Sequence, residues 1–223
     1  MKISHINKQE ALIYLGYRGM NLPADIDADI ERCSEIIMKE IVPRTIWKRF
    51  DLLEDGTVAG TSVHFAGSDI WKLLNGCKSV ILMAATLGSE VESLVRRYQV
   101  KSPADAVILD ACASAAIESV CDDLCNQIAV EIRPLYLTDR FSPGYGDMPL
   151  SQQTEIFQLL DITKRIGVSL TDSWLMVPQK SVTAIIGLSH APVKMRPRGC
   201  AVCSMFETCR YRKDGVNCGS NHS

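Results

Sequence analysis

The sequence has almost no surplus of charge, since 24 basic and 26 acidic residues leave a formal net charge of -2. A protein that held nucleic acid through its phosphates would show a basic surplus or a basic stripe, and neither is present. No stretch approaches the ~18 consecutive apolar residues that a membrane-spanning helix needs. The opening Met1-Lys2-Ile3-Ser4-His5 lacks the apolar core of a secretory signal, so the expected compartment is the cytoplasm. Histidine is scarce: His5, His64, His190 and His222 are scattered and fit neither a metal site nor a proton relay. G-x-G-x-x-G, a phosphate-binding P-loop and G-x-S-x-G are all missing, which argues against a Rossmann enzyme, a kinase and a hydrolase.

What is present is a patterned chain of 223 residues, long enough to bury one substantial core and carry an appendage. Asn7 is an N-cap for a helix that ends near Gly16. Ile26, Ile30, Cys33, Ile37 and Ile41 recur at helical spacing over a second, so residues 1–43 form an N-terminal helical part. Thr45 to Leu53 reads as a strand, Glu54-Asp55-Gly56 as a turn, and Asp69 to Leu74 as a short helix. Val80 to Ala85 is an apolar run of buried-strand length, followed by a helix over Ser89 to Tyr98.

Ser102-Pro103 then opens a helix that runs to about Ile132, where Arg133-Pro134 stops it. Leu109, Ala113, Ala116, Val120, Leu124 and Ile128 share one of its faces, and its Ala and Ser content permits close packing, so this helix is expected to be central. Leu135 to Arg140 reads as a strand, Ser151 as the cap of a further helix, and Leu175 to Val177 and Val182 to Leu188 as two more strands. Helices and strands mixed without regular alternation indicate an α+β fold with a largely antiparallel or mixed sheet and packed helices. Composition changes abruptly after His190-Ala191-Pro192, which divides the chain into a main domain, 1–192, and a Cys-rich tail, 193–223.

Nine cysteines in a reducing compartment point to thiols or metal ligands rather than disulfides. Cys200, Cys203, Cys209 and Cys218 form C-x2-C-x5-C-x8-C within nineteen residues, flanked by Arg198, Arg210, Arg212 and Lys213. Four thiolates suit either a [4Fe-4S] cluster or zinc. Structural zinc ordinarily pairs two C-x2-C knuckles, and neighbouring cations favour an anionic cluster. The C-x2-C-x5-C core also resembles the auxiliary cluster segments of radical S-adenosylmethionine enzymes. Cys121 and Cys125, with Cys112 on the same helix, read as buried core thiols, as do Cys33 and Cys77.

The most informative residues are Arg140-Phe141-Ser142-Pro143-Gly144-Tyr145. Arg140 can grip a carboxylate through two parallel hydrogen bonds. Pro143 and Gly144 make a turn in which Gly lets the backbone approach a ligand closely and Tyr145 is presented at a defined place. This R-x-x-P-G-Y loop resembles the activation domain of cobalamin-dependent methionine synthase in its stand-alone form. The resemblance extends over about residues 80 to 190, including Ala84-Ala85-Thr86-Leu87-Gly88, Leu160-Asp161-Ile162 and Ile166-Gly167-Val168. Ser142 stands where the fused synthases carry Ala, and Gly146-Asp147-Met148-Pro149 replaces a Pro- and Cys-rich continuation.

The resemblance implies that Arg140, Ser142, Pro143, Gly144 and Tyr145 bind S-adenosylmethionine, with an acidic residue from the N-terminal helices that no motif identifies. It further implies reductive reactivation of cob(II)alamin supplied by a partner, either a cobalamin-dependent methionine synthase or a corrinoid protein, with a low-potential electron donor or the Cys-rich tail providing the electron. Whether this makes the chain an enzyme in its own right stays open. The rival expectation is a non-catalytic zinc-containing module that docks a corrinoid protein.

Overall fold

The computed structural model describes residues 5–17 and 24–193. In chain order the elements are α1 (Lys8–Tyr14), α2 (Ala24–Glu40), β1 (Arg44–Asp51), α3 (Ser68–Leu73), β2 (Ser79–Thr86), α4 (Glu90–Lys101), α5 (Pro103–Glu131), β3 (Tyr136–Leu137), α6 (Gln153–Leu160), α7 (Ile162–Ile166), β4 (Ser169–Leu170), β5 (Met176–Val177) and β6 (Ser181–Ser189). The main sheet is antiparallel, in the order β1-β2-β6-β3, and β4 and β5 form a separate small hairpin. The α+β expectation therefore holds.

β2 explains why the sequence shows an unbroken apolar run there. Alternate strand residues point to opposite faces, and both faces of this strand are covered. Ile81, Met83 and Ala85 join a core with α1, α2, α4 and α5, whereas Val80, Leu82 and Ala84 join a second core with α3, α6 and α7. The molecule is thus three layers, helices on both sides of a sheet. α5, 29 residues and about 43 Å long at 1.5 Å per residue, lies against α1, α2 and α4 and the sheet. The face carrying Leu109, Ala113, Ala116, Val120, Leu124 and Ile128 is buried, as are Ala111, Cys112, Ala115 and Cys121. Small side chains let three helices and the sheet approach it together.

Two local expectations are corrected. The strand predicted over Leu135 to Arg140 is regular only at Tyr136–Leu137. Ser151 does not cap a helix: it lies inside a 3-10 turn, Leu150–Gln152, that runs directly into α6. β4 and α7 were not foreseen, being too short to show a period; Asp161, at φ 52°, breaks α6 from α7.

α3 owes its start to a residue far along the chain. Gly67 precedes it and offers no side chain, and Asp147 takes over the capping role: its carboxylate accepts from the backbone N–H of Asp69 at 3.0 Å and of Ser68 at 2.6 Å, and from Ser68 Oγ at 2.8 Å. These bonds favour the ionised form and hold the Asp147 carboxyl down at about 2, below its ordinary 3.8. A depressed folded value means that the contribution is complete above about pH 4 and fades as pH falls through about 2. Asp147→Asn should therefore flatten the acid limb of a melting-temperature profile over that interval while lowering the plateau. A profile superimposable on that of the unaltered protein would refute the cap.

Candidate functional site

The chain leaves β3 alongside β6 and then steps out of register. Leu137 lies opposite Leu188, the Thr138 N–H donates to the Gly187 carbonyl, and Phe141 exchanges two backbone bonds with Ile185. Regular pairing would set residue 140 opposite Ile185, so one extra residue is accommodated between Thr138 and Phe141. A one-residue slip exchanges the faces of a strand. Because of it, Phe141 enters the α6 and α7 core beside Ile185, and Arg140 is released towards α5.

There Arg140 meets two carboxylates one helical turn apart. Its Nη2 donates to Glu118 Oε2 at 2.8 Å and its Nη1 to Asp122 Oδ1 at 2.6 Å. Nη1 also lies 3.8 Å from Cys125 Sγ. The Glu118 and Arg140 side chains are 29% and 23% exposed, but Asp122 is 64% exposed and is the displaceable partner. A guanidinium has five N–H donors in a fixed fork, so an incoming carboxylate can take those that remain or replace Asp122. Asp110, Ser114, Glu118 and Asp122 continue one polar stripe at i, i+4 spacing along α5. Lys180, just before β6, engages its first two members at 2.9 and 2.8 Å. That spacing was the signal available in the sequence for Glu118 and Asp122, overlooked because the helix reads as core.

The turn behaves as predicted in its backbone. Ser142 Oγ donates to the Thr183 carbonyl at 2.7 Å, tying the loop to β6, and Pro143 is buried. Gly144 has φ +90°, a conformation costly for any residue with a side chain, and its N–H donates to the Met148 carbonyl at 3.0 Å. Tyr145 is 67% exposed. At Gly146 a Cβ would come within 2.5 Å of Asp69 Oδ2, so the continuation that departs from the fused synthases is fitted to α3.

Arg140, Ser142, Pro143 and Tyr145 line one groove of about 1300 Å³. Its walls are Glu10 of α1, Glu118, Asp122 and Cys125 of α5, the start of β6 and the β4–β5 hairpin. Trp174, at the hairpin tip, has φ 60°, an outlier for a bulky residue. Its N–H donates to the Thr171 carbonyl, and the Leu175 N–H to Thr171 Oγ1, which hold that conformation. Glu10 is an acidic groove residue on the N-terminal helices. Tyr14 of α1 senses the same region: burial, then the charges of Glu118 and Glu10, push its hydroxyl up to about 12.

Cys33, Cys112 and Cys121 fit the core reading, whereas Cys77 and Cys125 are only half-buried and Cys125 lines the groove. Burial raises Cys112, Cys121 and Cys125 above the ordinary thiol range and pushes Cys33 up to about 12, which keeps them protonated. Among the described residues no group of three or more His, Cys, Asp or Glu side chains is arranged for a metal ion. The predicted ligands Cys200, Cys203, Cys209 and Cys218 lie outside the described residues. No described helix is long and apolar enough to cross a membrane.

The fold is a three-layer α+β module with an open groove beside α5. The family model of the vitamin B12-dependent methionine synthase activation domain matches residues 75–194, which is 120 of the 223 residues. The chain belongs to that family. Its fold is similar to the crystal structure of the MetH reactivation domain bound to AdoHcy, with a TM-score of 0.60 at 17% identity over 77% of this chain and 67% of that one. No curated protein matches the chain.

Proposed function

We propose that the chain binds S-adenosylmethionine in this groove and supports reductive methylation of cob(II)alamin carried by a separate methionine synthase or corrinoid chain. The observation that carries the reading is the convergence of Arg140, Ser142, Pro143 and Tyr145 on one open groove in a member of the activation-domain family, with Gly144 at φ +90° making the turn that presents Tyr145. Arg140 holds the ligand carboxylate, Gly144 lets it approach the backbone, and Tyr145 orients it. The AdoHcy in the structurally similar domain differs from S-adenosylmethionine by one methyl group, which supports the ligand class. The groove exceeds the ~300 to 1,000 Å³ of ordinary small-molecule sites. Exposed Tyr145, Trp174, Leu175 and Val177 give it apolar surface suited to a large flat partner.

The protein's work in this reading is positioning. Holding the methyl donor against the partner's corrin replaces a dilute encounter by a bound one, while the corrin carries the difficult chemistry. Calorimetric titration with S-adenosylmethionine, followed by conversion of cob(II)alamin to methylcobalamin under a one-electron reductant with a loaded partner, tests it. Binding without any acceleration of methylcobalamin formation would leave a sensor rather than a reactivator.

The tail belongs to the same proposal. Its four thiolates, Cys200, Cys203, Cys209 and Cys218, would hold a [4Fe-4S] cluster able to supply one electron at low potential. Replacing Cys203 and Cys209 together by Ser should abolish visible absorption and cobalt reduction and leave S-adenosylmethionine binding intact. Anaerobically purified protein with one zinc and no iron would remove the redox role and favour a docking element.

A further inference from the structure

The lining of the groove is electrically one-sided. Among the described residues it carries five carboxylates, those of Glu10, Asp69, Glu118, Asp122 and Asp139, and the single guanidinium of Arg140. That guanidinium is already committed to two of the five, and Asp69 is paired with Lys72 at 2.8 Å. Glu118 and Asp122 are presented by a helix packed against α1, α2, α4 and the sheet, so the wall cannot turn its charges away. An acidic concavity with apolar surroundings raises the local concentration of cations and strengthens their binding. The high hydroxyl value of Tyr14, set in part by Glu118 and Glu10, reports the same field.

We propose that the groove selects its ligand by charge, holding the cationic methylsulfonium form of the adenosyl ligand in preference to the neutral thioether. This rests on the adenosyl-ligand reading above and adds to it a reason for turnover. When the methyl group leaves, the C–S bond breaks with its electron pair retained by sulfur. The new Co–C bond takes both its electrons from cobalt(I), itself produced by a low-potential one-electron donor. The ligand thereby loses one unit of positive charge inside an acidic wall, and the attraction that held it is lost at the same moment. Glu10 and Asp122 are the specificity-determining residues: Glu10 approaches from α1, and Asp122 is the carboxylate least needed to hold Arg140.

The test is calorimetric titration of the full chain with S-adenosylmethionine, with S-adenosylhomocysteine, and with sinefungin, an adenosyl analogue bearing an amine where the sulfonium stands. The two cations should bind about tenfold tighter than the thioether, a difference that shrinks with added salt. In Glu10→Gln and Asp122→Asn the preference should fall to about twofold, in Glu10→Gln through weaker cation binding with the thioether unchanged; unaltered melting curves would separate this from misfolding. Equal affinity for all three ligands, or a preference that both variants retain, overturns charge selection while leaving the binding site in place. No binding by any of the three overturns the adenosyl reading and this inference with it.

Discussion

Arg140→Met should raise the dissociation constant for S-adenosylmethionine by about 100-fold. The variant removes the ligand's carboxylate anchor, two charge-assisted hydrogen bonds in which each is worth ~1.5 to 3 kcal/mol. It also deprives Glu118, only 29% exposed, of its cation. The second loss falls on the fold: α5 and the loop of residues 140–145 are joined through this side chain, and its removal should cost about 1 to 2 kcal/mol of stability, between a surface pair and a buried one. Arg140→Lys separates the parts. It keeps a positive charge near Glu118 but loses the planar fork, so the affinity loss should shrink to about tenfold with most of the stability restored. Calorimetry paired with thermal melting measures both. Unchanged affinity in a folded Arg140→Met protein would dismiss this residue as the anchor.

The largest stability loss is expected at Gly187→Val. Gly187 lies in β6 opposite Val80, where the turn after α3 crosses the sheet. A Cβ there would meet Cys77 Sγ at 2.7 Å, Leu74 Cδ2 at 2.9 Å and Thr138 Cγ2 at 3.0 Å. Overpacking of this kind costs ~1 to 3 kcal/mol, and Val adds two methyl groups to the clash, so about 3 kcal/mol and a fall in Tm of about 6 to 12 °C are expected. Gly187→Ala should lose roughly half as much. Thr138 both donates to Gly187 and accepts from it, and it stands two residues before Arg140. The displaced strand should therefore weaken ligand binding as well. A Val variant that melts within a degree or two of the unaltered protein would mean that the α3 turn yields without cost.

The sequence made the long elements legible because their burial is periodic or complete. Asn7 accepts from the backbone of Gln9 and Glu10 as an N-cap should, Ser102-Pro103 opens α5, and Val80 to Ala85 is a strand because helices cover both its faces. The loop of residues 140–145 was legible through residues with narrow conformational roles, and Gly144 at φ +90° is the plainest of them. The slip between Thr138 and Phe141 was not legible. Nothing in Leu135 to Arg140 interrupts a strand pattern; the extra residue is visible only against β6, a partner more than forty positions away. Glu118 and Asp122 were hidden by their company. A helix with Cys121, Leu124 and Ile128 on adjoining faces reads as core, and its polar stripe acquires meaning only when Arg140 and Lys180 arrive. Glu10 carries no local signature at all, because α1 acquires its role by lying at the groove.

The two sides of the groove differ in stiffness. Glu118 and Asp122 ride on a helix clamped along most of its length by three helices and a sheet. Opposite them stands a hairpin of two-residue strands whose Leu175 and Val177 are 58% and 44% exposed. Local opening follows the density of buried contacts, so the mouth behaves as a vice with one fixed jaw and one sprung jaw. The Glu118 and Asp122 carboxylates keep a constant spacing. A molecule too bulky for the groove would strain the hairpin that carries Trp174 before it strained the core.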